Sequence, residues 1–131
     1  MAAASFRPGF RLSALDAAVI LAGSTGAALA AEVAWWMGTA IAFVIGHFFL
    51  FCNVLRAARP LELAWTACFL ALAIASMTKG MPPWSITFAL SSLVTLVVLA
   101  LQIRRPSYHG IGWQRLNPDL PQWWDEHGGG Q

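Results

Sequence analysis

His47 carries the most chemical potential in this chain. It lies one or two residues past the midpoint of an uncharged apolar run at 36–55, a depth at which ionisable side chains are rare in membrane proteins and mark functional sites. The acidic residues nearest such runs, Asp16, Glu32 and Glu62, all fall at run ends, so no carboxylate accompanies the ring. A neutral imidazole there needs a hydroxyl, a backbone carbonyl or a metal ion as partner. The expected partner is Ser24 or Thr25, at comparable depth in the preceding run and brought alongside by a short turn. The sharper alternative makes His47 an axial ligand of haem or a chlorophyll-type pigment, with Gly46 leaving room for the macrocycle. His109 and His127 lie far outside the run, so a second axial ligand would have to come from another subunit. No other cofactor and no metal are expected.

Hydroxyls form the next pattern. Thr87, Ser91 and Thr95 recur every four residues, with Ser92 beside them, which aligns three hydroxyls on one face of a helix. Such a stripe can line a polar path, but its expected role is to bond its own backbone or a neighbouring helix. A second cluster, Asn53, Arg56, Arg59 and Glu62, sits between two apolar runs, with Arg59 and Glu62 at helical i,i+3 spacing. It reads as a polar network at a turn, able to meet lipid headgroups or a partner. Cys52 and Cys68 differ in depth by about 6 Å at 1.5 Å per helical residue, which disfavours a disulfide and leaves them as small packing residues. HExxH, GxSxG, P-loop and GxGxxG motifs are missing, carboxylates are not paired, and His109 has no nucleophile or acid beside it. A non-catalytic protein is therefore expected.

The elements that hold these residues follow from charge and hydropathy. With 58% apolar and 11% charged residues, the chain lacks the roughly one-quarter charged residues of a soluble domain. Apolar runs at 15–33, 36–55, 61–78 and 84–103, charged only near their ends, each approach or reach the roughly 20 residues that cross a 30 Å hydrocarbon core. Every basic residue but Lys79 falls in three flanking segments: Arg7 and Arg11, Arg56 and Arg59, and Arg104, Arg105 and Arg115. Because Lys and Arg beside spans stay cytoplasmic, the pattern predicts an all-α membrane protein of four transmembrane helices. They form two antiparallel hairpins with both termini inside. The net charge of +2 reports orientation and attraction to anionic headgroups, and no nucleic-acid partner is expected.

Local signals refine this. Ser13 and Asp16 have capping-box spacing; Pro60 and Glu62 suit a helix start; Lys79-Gly80 suits a helix end. The expected turn between the first two spans occupies 32–37 and contains interfacial Trp35 and Trp36. In the first span Gly23, Ala27 and Ala31 make a small-residue ridge, with Gly26 nearby, suited to close packing within the chain or between copies. Arg7, Arg11, the stretch 17–27 and Ala28-Leu29-Ala30 also imitate a secretory signal peptide, although Asp16, Ser24 and Thr25 dilute it, and an uncleaved span is expected.

Residues 1–14 read as a cytoplasmic arm, disordered or lying on the membrane. Residues 104–131 read as a cytoplasmic tail, where Pro106, Pro118 and Pro121 prevent a long helix while Tyr108, Trp113, Trp123 and Trp124 demand something to pack against. His127 and Gly128 to Gly130 suggest a frayed end. The functional expectation is an accessory or assembly subunit of a larger complex in a bacterial inner membrane, contacting lipid and other subunits or further copies of itself. The alternatives are an electron-transfer or antenna subunit using His47 and a small-solute transporter or channel.

Overall fold

The computed structural model describes residues 6–127; the Gly128 to Gly130 end and the first five residues of the arm lie outside them. The described chain is all helical: α1 (Ala14–Val33), α2 (Trp35–Phe49, running on as a π-helical turn, Leu50–Val54), α3 (Arg59–Lys79), α4 (Trp84–Ile103) and two short helices, α5 (Trp113–Leu116) and α6 (Leu120–Glu126). Four segments, Ala14–Val33, Trp35–Val54, Arg59–Lys79 and Trp84–Ile103, are long and apolar enough to cross a membrane. Large apolar side chains point outward along them, with Leu21 71%, Leu63 64% and Leu96 60% exposed. In water that distribution would be costly, so lipid is the solvent these faces suit.

Each helix begins and ends for a local reason. Ser13 and Asp16 close a reciprocal capping box: Asp16 N–H donates to Ser13 Oγ at 3.1 Å and Ser13 N–H to Asp16 Oδ2 at 2.7 Å. Ala34 alone, in an extended conformation (φ −155°, ψ 131°), separates α1 from α2, so the turn is far shorter than the expected 32–37. Glu32 marks the approach to the break, but α1 continues through it to Val33 and α2 starts at Trp35, so both flanks of the expected turn are helical. Pro60 occupies the first turn of α3, and Gly80, at φ 67°, closes it in the left-handed region that favours glycine.

α1 packs on α2, and α3 on α4. On the first interface Ala27 is the one buried residue of α1. A Cβ added at Gly38 would lie 2.5 Å from the Ala27 carbonyl oxygen, and one at Gly23 would strike Ile45. Larger side chains fill the space between the two helix pairs. Phe43 lies 5.6 Å from Phe69 and 5.2 Å from Phe88, centroid to centroid, Trp36 stacks on Trp84 at 4.6 Å, and the buried core is Phe51, Leu55, Trp65, Phe69, Ala73 and Val98.

Candidate functional site

His47 sits inside this aromatic layer. Its ring stacks on Trp65 at 4.5 Å and 14°. Nδ1 lies 2.8 Å from the Phe43 carbonyl, which can only accept, so the hydrogen-bond network places the proton on Nδ1. Nε2 then accepts from the Thr95 hydroxyl at 2.8 Å. The Trp65 indole N–H is shared between Thr95 Oγ1 at 2.8 Å and the Ser91 carbonyl at 3.2 Å. One turn further, Thr87 Oγ1 and Ser76 Oγ are 2.7 Å apart, and Ser76 Oγ is also 2.7 Å from the Pro82 carbonyl.

The hydroxyl stripe of α4 thus faces inward and joins α2, α3 and α4. His47 does not meet α1. Ser24 and Thr25 are exposed, and the Thr25 hydroxyl returns to the Leu21 carbonyl at 2.9 Å. Helix rotation decides this: Gly23 and Ala27 turn toward α2, which carries the two hydroxyl residues away. Gly26 has nothing within 4 Å of an added Cβ. Both His47 nitrogens are engaged, so axial ligation would require breaking the Thr95 bond. Ser91 is 1% exposed, and its hydroxyl has no partner among the described residues. No group of three His, Cys, Asp or Glu side chains among the described residues could hold a metal ion.

The second constellation lies at the arginine-rich end. After the π-helical turn the chain reverses through Arg56, whose φ of 49° is left-handed and costly for a residue with a Cβ. Gln102, 2% exposed at the end of α4, holds this loop as a backbone strand would: its side-chain N–H donates to the Arg56 carbonyl at 3.3 Å, and its Oε1 accepts from Ala58 N–H at 3.2 Å.

The arm and the tail fold over this loop together. Arg11 N–H donates to the Asn53 carbonyl at 3.2 Å while Asn53 Nδ2 donates to the Arg11 carbonyl at 2.7 Å, and Gly9 N–H reaches the His109 carbonyl at 2.7 Å. Ile111 N–H donates to the Val54 carbonyl at 2.8 Å. Tyr108 is fully buried and donates to the Ile111 carbonyl at 2.7 Å. Phe6 packs edge-on against both Trp113 and Trp124, at 5.9 and 5.2 Å, and Trp123 stacks on His127 at 4.4 Å. The arm from Phe6 onward is therefore docked on the tail rather than lying free.

Between this cap and the helix ends is a cavity of about 820 Å³, within the roughly 300–1,000 Å³ usual for small-molecule sites. Arg11, Arg56, Arg59 and Arg105 line it, and Glu62 is the only carboxylate among its described lining residues. Cys52 Sγ lies 3.6 Å from Glu62 Oε1. Burial first, and the nearby Arg11 charge second, pull the Arg56 guanidinium below its ordinary range. Burial likewise depresses His109 in the lining; its bond to the Ser107 carbonyl opposes the shift and the Arg56 charge adds to it. Of the residues singled out from sequence, Arg56, Arg59, Glu62 and Trp123 meet in this lining. Asn53 and Tyr108 brace it from behind, and Trp113 and Trp124 clamp Phe6. Arg11 and Arg105 were read only for orientation, His109 was set aside, and Gln102 was not singled out; a lone amide ending an apolar helix was the signal for Gln102.

Four helices long and apolar enough to cross a membrane, carrying a folded, arginine-rich end, are compatible with a small integral membrane protein. No protein-family model, no curated protein and no solved structure matches the chain.

Proposed function

We propose that the protein is a non-catalytic accessory or assembly subunit of a larger complex in a bacterial cytoplasmic membrane. Its four spans form two antiparallel hairpins, with both termini and the arginine-rich end on the cytoplasmic side. Contacts between Ala27 and Gly38 and between Gly23 and Ile45 support the first hairpin, and the segregation of arginine from the Lys79 end supports the orientation. The observation that carries the subunit reading is the cap. Segments from opposite ends of the chain are stitched into one folded element that keeps Ile111 and Leu116 each 51% exposed, an apolar rim fit for a neighbouring subunit.

The test is purification of the full chain in native lipid with mass spectrometry of what accompanies it. A stoichiometric membrane-protein partner is expected, and Ile111→Gln with Leu116→Gln should reduce its recovery while leaving insertion intact. A monodisperse, partner-free particle overturns the reading.

A further inference from the structure

We propose that the arginine-lined cavity binds the phosphate of an anionic glycerophospholipid, with the glycerol end turned toward Phe48 and the hydrocarbon. This rests on the chain lying in a membrane and not on the accessory role.

Charge is the first argument. Arg11, Arg56, Arg59 and Arg105 line one cavity whose described lining includes a single carboxylate, Glu62; the Arg56 guanidinium also donates to the Arg7 carbonyl, and a guanidinium offers a planar fork of donors that matches phosphate oxygens two at a time. α3 also opens into the cavity at Arg59 and Pro60 with no side-chain cap, so the positive end of its dipole adds to the same field. One carboxylate does not balance four arginines, so an anion between them relieves the remaining repulsion.

Position decides between a lipid and a soluble phosphate. The cavity wall includes Cys52 and Phe48, two and six residues inside the span that ends at Val54, so it reaches about 9 Å into that span at 1.5 Å per residue. Phe48 is 50% exposed on the lipid-facing surface of α2. It also borders a small recess between α1 and α2, lined by Val19, Ile20, Ile45 and Phe49 with Asp16 and Asn53 at its polar end. A headgroup in the cavity therefore has an apolar, outward-facing edge at Phe48 along which its acyl chains can leave, which a free phosphate would leave unused. Basic pockets among membrane helices recognise anionic headgroups in this way.

The experiment uses the full chain in detergent, titrated separately with dioctanoyl phosphatidylglycerol, dioctanoyl phosphatidylcholine and inorganic phosphate, with retained ligand read by native mass spectrometry. Phosphatidylglycerol should bind at least about tenfold tighter than phosphatidylcholine, whose phosphate is the same but whose choline cation is repelled by the arginines, and inorganic phosphate should not displace it. Arg59→Gln with Arg105→Gln, both at exposed positions, should abolish the preference; Arg59→Lys with Arg105→Lys should keep it. Equal binding of the two lipids, an undiminished preference in the glutamine pair, or full displacement by inorganic phosphate overturns the proposal. The headgroup comparison on the unaltered chain stands even if the glutamine pair fails to fold.

Discussion

Ser91 and Thr95 lie one turn apart on the same face of α4, yet substituting them should act in opposite directions. The Ser91 hydroxyl is buried without a partner, so Ser91→Ala sheds a desolvated polar group and should be neutral or stabilising by up to about 1 kcal/mol. Thr95 Oγ1 serves both His47 Nε2 and the Trp65 indole, and Thr95→Val should cost about 1–2 kcal/mol, near the upper end for polar contacts between membrane helices. His47→Ala should cost about 0.5–2 kcal/mol, with no haem or pigment absorbance lost. The His47→Ala, Thr95→Val double variant should cost less than the sum, since both remove one bond. Unfolding in detergent reads all four.

His109 offers a pH test. Its folded-state affinity for a proton is depressed, so once pH falls below the free-imidazole value of about 6.5 the unfolded tail binds more protons than the folded one. Amide protection of the tail should therefore weaken as pH drops through that value and level off below the folded pKa. His109→Gln should flatten the profile. At this scale the sequence revealed the hydroxyl stripe and the importance of His47. It did not reveal which helix answers His47, because equal depth fixes height along a helix axis and says nothing about rotation around it.

Among the elements, the α1–α2 interface makes the sharpest claim. Gly38→Ala would push a methyl against the Ala27 carbonyl and Ala31, and such overpacking should cost about 1–3 kcal/mol. Gly26→Ala meets open space and should gain up to about 1 kcal/mol from helix propensity. Thermal unfolding of the two variants separates a packing glycine from an idle one; equal effects would contradict the interface. The four long helices were readable because arginines, Pro60 and Gly80 punctuate apolar runs. α5 and α6 were not: their four and seven residues are too short to show a period, and both are held by contacts with Phe6, which lies far away in sequence.

For the whole molecule, orientation is the property to test. Reporters fused after Arg11, within 56–59 and after Arg115 should read cytoplasmic, and one at Gly80 external; an external reading at the arm removes the four-span arrangement with both termini inside. Charge counting carries this expectation, whereas the folding of arm and tail into one cap could not be counted from either segment alone.

The Gln102 clamp also sets an order of events during biosynthesis. It fixes a loop lying 44 and 46 residues earlier in the chain, a gap of about 2–9 s at roughly 5–20 residues per second of synthesis. The first two helices therefore enter the bilayer with their arginines unassembled, and the cavity closes only after α4 has emerged, so insertion precedes the site and a chain stalled before residue 102 would be a membrane protein without one.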